Sequence, residues 1–130
     1  MGAQREALIL LRVDGGGTPG CLTLTEAGML AKIGLNAAGL GVCLNILRSE
    51  DDGAACGIPV HVLLRALLQC SSVPDAIERI ARVDFGASSC ILCADVHGAR
   101  AALELTPAGA HILAGQGAAF CHTNHFLAEA

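Results

Sequence analysis

Residues 59–81 decide the fold: Pro59-Val-His-Val-Leu-Leu-Arg-Ala-Leu-Leu-Gln69, then, after Cys70 and Ser71, Ser72-Val-Pro-Asp-Ala-Ile-Glu-Arg-Ile-Ala81. Pro59 suits a first helical turn, where its missing N–H has no partner to lose, and Val60, Leu63, Leu64, Leu67 and Leu68 recur at helical spacing. A helix to about Gln69 is predicted. Ser72 supplies an acceptor at the start of a second helix, Pro74 and Asp75 fit its first turn, and Ile77, Ile80 and Ala81 share one face. Two one-sided helices form a layer that has to lie against something.

On both sides the chain reads as extended. Upstream, Ala7 to Val13 is nearly continuous aliphatic, and Asp14-Gly-Gly-Gly-Thr-Pro-Gly20 concentrates turn formers. Cys21 to Glu26 and Met29 to Ile33 flank Gly28 as strands, Asn36-Ala-Ala-Gly39 is a turn, and Leu40 to Asn45 is a fourth strand. Downstream, Ser88 to Ala94, Ala101 to Leu105 and His111 to Ala114 are separated by turns at His97-Gly98 and Pro107-Ala-Gly109, and a last short strand is predicted through Phe120 to Thr123. Strands, two helices, then strands without alternation predict an α+β fold, an antiparallel sheet carrying a two-helix layer, with residues 1–130 as one partial domain.

Composition narrows the function. The chain of 130 residues is 53% hydrophobic and 15% charged, against roughly 25% charged in ordinary soluble chains, so disorder is excluded. With 8 basic against 12 acidic residues there is no basic stripe to engage phosphates, and nucleic acid is not an expected partner. The uncharged segment after Glu104 carries Pro107, three histidines and several glycines, which excludes a membrane helix. The apolar run Ala7 to Leu11 ends at Arg12, short of a secretory signal, and Glu6 stands where a myristoylation signal needs Ser or Thr. A cytoplasmic setting follows, in which seven cysteines are expected as reduced thiols. Three Phe, with no Tyr or Trp, leave the core to aliphatic residues; that excess predicts a face to be covered by a further part of the same fold or by a second copy.

Few motifs carry chemistry alone. Gly15-Gly-Gly17 precedes neither a helix nor a Lys-Ser/Thr pair, so it reads as a hairpin loop and not a phosphate cradle. Cys90 and Cys93 sit three apart in a predicted strand and point to opposite faces, which argues against a zinc site with Cys121, His122 and His125. No metal and no cofactor are expected. His122-Thr-Asn-His125 places an amide and two imidazoles at a strand end, and Asn124 could donate to an oxyanion formed in acyl transfer.

Thr25-Glu-Ala-Gly28, Lys32-Ile-Gly-Leu-Asn-Ala-Ala-Gly39, Val42-Cys-Leu-Asn45, Gly57-Ile-Pro-Val60, Leu64-Arg-Ala-Leu67 and His122-Thr-Asn-His125 occur together in one order and spacing. In these the chain resembles the acyl-coenzyme A:6-aminopenicillanic acid acyltransferase (isopenicillin N acyltransferase) family of N-terminal nucleophile hydrolases, from about Arg5 to Leu127. The resemblance implies part of an αββα sandwich. It also implies self-cleavage that exposes an N-terminal cysteine, whose α-amino group acts as base while its thiolate attacks an amide or thioester carbonyl. The acyl-enzyme then passes its acyl group to water or an amine. Within the matched motifs, Asn124 takes the place of the oxyanion-hole side chain and the backbone N–H of Leu44 that of its companion donor. The implied partner is a small acyl amide or acyl thioester.

The nucleophile of that family would stand well before Thr25, followed by an orienting Asp, and neither is found there; an Arg from later strands is likewise not found. Gly20-Cys21 looks like a cleavable Gly-Cys bond, but Cys21 falls four residues before Thr25 in the strand leading to Glu26, out of reach of the implied donors. This segment is therefore expected to be an internal piece, inactive by itself. Three uses stay open: a portion of an amide-hydrolysing or acyl-transferring enzyme, a non-catalytic binder of acyl ligands, or a self-associating interaction module.

Overall fold

The computed structural model describes residues 7–30, 32–53 and 56–128. Among them a single sheet runs in sequence order through β1 (Leu8–Val13), β2 (Cys21–Glu26), β3 (Gly34–Asn36), β4 (Gly41–Ile46), β5 (Ser89–Ala94), β6 (Arg100–Thr106) and β7 (Gly109–Ala114), all neighbours antiparallel. The helices α1 (Val60–Leu67) and α2 (Val73–Ile80) are inserted between β4 and β5. The neck of that insertion is closed by a parallel bridge between Ile58 and Phe85, with Ile58 N donating to Asp84 O at 2.9 Å. Gly57 is required there, because a Cβ would stand 2.3 Å from Gly86 N.

The helical spacing read for α1 is the spacing that packs, whereas on α2 the predicted face of Ile77, Ile80 and Ala81 is corrected: Ile80 is buried, Ile77 lies at the margin and Ala81, past the last turn, is exposed. Leu63, Leu64 and Leu67 of α1 and Val73, Ala76 and Ile80 of α2 are buried against Val42, Ile91, Cys93, Ala101, Leu103 and Leu105 of the sheet. Ser72 Oγ caps α2 by accepting from Asp75 N at 3.3 Å. Asn36 ties the layers together. Its Nδ2 donates to Leu68 O (3.1 Å) and Cys70 O (2.7 Å) at the end of α1, while Oδ1 accepts from Ala38 N and Leu40 N in the β3–β4 turn. Gly39 completes that turn at φ +86°.

Two predicted strands are corrected. Met29 to Ile33 is not a strand; apart from Ala31, which lies outside the described residues, it is turn and connection, and β3 begins at Gly34. Gly28 at φ +84° and the Met29 N to Glu26 O bond turn the chain out of β2, and pairing resumes only where Gly34 comes against Leu22. Phe120 to Thr123 is not a strand either. It alternates as a strand would, with Phe120 and His122 inward and Cys121 and Thr123 exposed, but it crosses the sheet face by its side chains and adds no backbone ladder. The fourth strand and first helix differ from the predicted bounds by one or two residues.

The face of the sheet opposite the helices is divided. Over β1–β3 the register sets Leu8, Leu10, Leu22, Leu24 and Leu35 side by side, each between 48% and 68% exposed. Over β4–β6, Cys90 and Ala102 are buried with Leu47 beneath Phe120 and Phe126 of the C-terminal segment. Cys90 and Cys93 lie on opposite faces, one in each apolar cluster.

Candidate active site: an amide and a backbone donor at one edge of β4

The segment after β7 is led back over the sheet by Gly115 N donating to Arg100 O (2.8 Å) and by an Arg100 guanidinium bond to Gly117 O. Phe120 and Phe126 sink into the apolar cluster, and between them His122 reaches Glu104 in the middle of β6. His122 Nε2 is 2.6 Å from Glu104 Oε1, and neither side chain has any exposed surface. The same carboxylate accepts from Leu127 N (2.6 Å) and Ala128 N (3.0 Å). Residues 122–128 thus form a loop with both ends fastened to one buried carboxylate. Asn45 Nδ2 adds a bond to His122 O at 2.8 Å.

Burial alone would push the Glu104 carboxyl up, but the His122 bond and the Leu127 and Ala128 amides outweigh it and hold the group below the ordinary carboxylate range. It is a carboxylate at neutral pH. Its neighbour across the β5–β6 pair, Cys90, is pushed up to about 12 by burial and then by the Glu104 charge, which makes that thiol unreactive.

Asn124 stands exposed within the loop and donates from Nδ2 to Ile46 O at 3.0 Å. That carbonyl marks which edge of β4 the amide meets. Asn36 N donates to Leu40 O, so the next hydrogen-bonded pair of this antiparallel ladder is Gly34 with Val42, and Val42 directs its N–H and C=O toward β3. Leu44 and Ile46, two and four residues on, direct theirs the same way, beyond the point where β3 pairs. No described residue accepts from Leu44 N. The Leu44 N–H and the Asn124 amide therefore face one edge of β4, the amide meeting it at Ile46, roughly the 7 Å rise of two strand residues beyond Leu44. A depression of about 470 Å³, lined by Ile46, Leu47, Arg48, Asn124, His125 and Phe126, opens beside them.

Of the residues singled out in the sequence, Leu44 and Asn124 are brought to this edge. His122 is turned inward to Glu104, and His125 is exposed, its Nδ1 2.5 Å from Thr123 Oγ1. Cys21 is elsewhere: it is buried opposite Asn36 on β2, its Sγ accepting from the Arg65 guanidinium at 3.3 Å. Five residue steps along β4, about 17 Å of strand, separate the Gly41 end near Asn36 from Ile46. Glu104 and Asn45 were not anticipated. Glu104 had a signal, since it is a lone charge in the apolar run of β6 and a buried carboxylate needs partners.

The sheet with its helical layer is part of an N-terminal nucleophile hydrolase fold. It superposes on penicillin V acylase from Agrobacterium tumefaciens with a TM-score of 0.59 at 16% identity, covering 82% of this chain and 38% of that one. The chain belongs to the acyl-coenzyme A:6-aminopenicillanic acid acyl-transferase family, whose sequence profile matches residues 5–130. It is 34% identical over 127 residues to the 40 kDa form of acyl-coenzyme A:6-aminopenicillanic-acid-acyltransferase of Emericella nidulans, an alignment covering 96% of this chain and 35% of the relative. The chain thus spans about a third of the relative's length. None of the described helices is long and apolar enough to cross a membrane.

Proposed function

We propose that this chain is the oxyanion-hole portion of a cysteine N-terminal nucleophile enzyme that hydrolyses or transfers acyl groups of small amides or acyl thioesters. The observation that carries the reading is the shared edge of β4, which the Asn124 amide meets at Ile46 and along which the Leu44 N–H has no acceptor among the described residues. When a thiolate attacks an amide or thioester carbonyl, the π electrons move to oxygen. Neutral, directional donors are what that oxygen needs. Leu44 N–H offers one, and the Asn124 amide offers the other when it turns from Ile46 O to the substrate oxygen. Breakdown expels the amine or thiol with a proton, leaving an acyl-enzyme for water or an amine to discharge.

The nucleophile in this reading is the family's N-terminal cysteine and its own α-amino group, not Cys21, which is buried and bonded to Arg65. The leucine face over β1–β3 fits a second sheet layer of the same fold. The cytoplasmic setting expected from the sequence goes with it.

Two experiments test the reading. The 130-residue chain alone is expected to turn over neither acyl-CoA nor a penicillin side chain, because donors without a nucleophile leave most of the barrier in place. Activity that disappears in Cys21→Ala would overturn the assignment of the nucleophile. Joined to a nucleophile-bearing segment, Asn124→Ala is expected to lower kcat by about 100- to 1,000-fold, whereas near-normal turnover would refute the oxyanion role.

A further inference from the structure

The loop that carries Asn124 has no regular secondary structure, yet the acid that fastens it is the most deeply placed charge described in the fold. Glu104 lies at the centre of β6 between Leu103 and Leu105, with no exposed surface. Stability alone does not account for its choice, because a buried charge and its partners are frequently matched or exceeded by apolar side chains of the same volume. What the carboxylate supplies is geometry. Oε1 receives His122 Nε2 and Leu127 N, Oε2 receives Ala128 N, and these donors flank Asn124 in sequence on both sides. One rigid acceptor on the sheet thereby fixes where the loop leaves and where it returns. The Asn45 bond to His122 O ties the same loop to β4, the strand whose edge Asn124 meets.

We propose that Glu104, acting through His122 and the Leu127 and Ala128 amides, is the positioning residue that holds Asn124 against the β4 edge. This rests on the oxyanion reading above. An irregular loop samples many conformations, and a donor displaced by about 1 Å can cost about 100-fold in rate. Glu104 removes that freedom before substrate arrives. The demand is for a carboxylate: three donors converge on it, and the NH2 of a glutamine would oppose at least one of them.

The test is Glu104→Gln. In the 130-residue chain, the Asn124 side-chain NH2 and the Leu127 and Ala128 amides are expected to lose their protection from exchange, while β5 amides keep theirs. Unchanged protection at all three would overturn the proposal. In the enzyme completed with a nucleophile, Glu104→Gln is expected to lower kcat about 100-fold with KM within about two-fold. The separating measurement is the double variant. If Glu104 acts through Asn124, then Glu104→Gln adds little to Asn124→Ala; additive losses would overturn the proposal even with both single effects present. Full activity in Asn124→Ala would instead refute the oxyanion role, leaving loop protection in the chain to judge the clamp. Should Glu104→Gln fail to fold, His122→Gln, whose amide can still donate to the carboxylate, is expected to retain more kcat than His122→Ala. Equal losses in those two variants would overturn the proposal.

Discussion

Asn36 and Asn124 carry the same amide in opposite settings. Asn36 is 4% exposed and engages its whole amide with the backbone, donating to Leu68 and Cys70 and accepting from Ala38 and Leu40. Asn124 is exposed and makes one bond, to Ile46 O, so its second N–H and its Oδ1 have no described protein partner. A saturated buried amide acts on the fold, joining α1 to the β3–β4 turn. An unsaturated amide that is nevertheless held in place is available to a ligand. The contrast extends to the neighbours: Asn36 is fixed by regular elements on both sides, whereas Asn124 depends on a buried carboxylate to fix its loop.

The largest effect that could break this contrast is on stability at Asn36. Asn36→Ala strips two carbonyls and two N–H groups of their partner, and some of them have no access to water. A loss of about 3–4 kcal/mol is expected, read as a lower urea midpoint at unchanged m-value. A loss below about 1 kcal/mol would mean that the corner is held by packing and that Asn36 is not the joint described.

A second, intermediate effect separates the two regions by pH. Glu104 is held below its ordinary pKa in the folded chain, so it contributes stability above its unfolded pKa, and that contribution is lost as pH falls through the folded value. The groups facing it are His122 from the loop, Cys90 on β5 and His111 on β7. The Asn36 corner contains no carboxylate among its four bonds. Acidification from pH 7 to below the usual carboxylate range is therefore expected to release Leu127 and Ala128 amides to exchange before Leu40 N. Simultaneous release would show that the loop has no acid-sensitive anchor of its own. Asp95 lies below its ordinary value too, held there chiefly by Val73 N–H, so the start of α2 weakens in the same direction.

How far the sequence could be read follows from the range of each interaction. The helices were legible because Pro59, Ser72 and the leucine spacing act within a turn or two of themselves. The order of strands was legible from turn formers such as Asn36 and Gly39. The third strand was misplaced because Gly28 and Gly34 set where pairing with β2 resumes, which depends on the partner strand and not on local propensity. Phe120 to Thr123 misled for a related reason: period-two alternation reports burial on one face, and a segment lying across a sheet alternates as well as one lying within it. Asn124 and Leu44 were reached through a resemblance. Their common edge emerged only from the register, and Glu104 emerged only when a buried charge was traced to partners eighteen to twenty-four residues away.

The smallest expected effect is the most discriminating. Asn124→Ala in the 130-residue chain removes one hydrogen bond at an exposed position and leaves an acceptor, Ile46 O, at an unpaired strand edge open to water. Such a change is expected to alter unfolding free energy by no more than about 0.5 kcal/mol, since water replaces the lost donor. His122→Ala in the same chain withdraws a ring with no exposed surface and leaves Glu104 short of a donor, so it should destabilise by clearly more. Chemical denaturation of both variants beside the parent checks the order. If Asn124→Ala costs as much as His122→Ala, the Asn124 amide is a structural clasp like Asn36. The inference from an unsaturated, held amide to a ligand-binding one then fails for this loop.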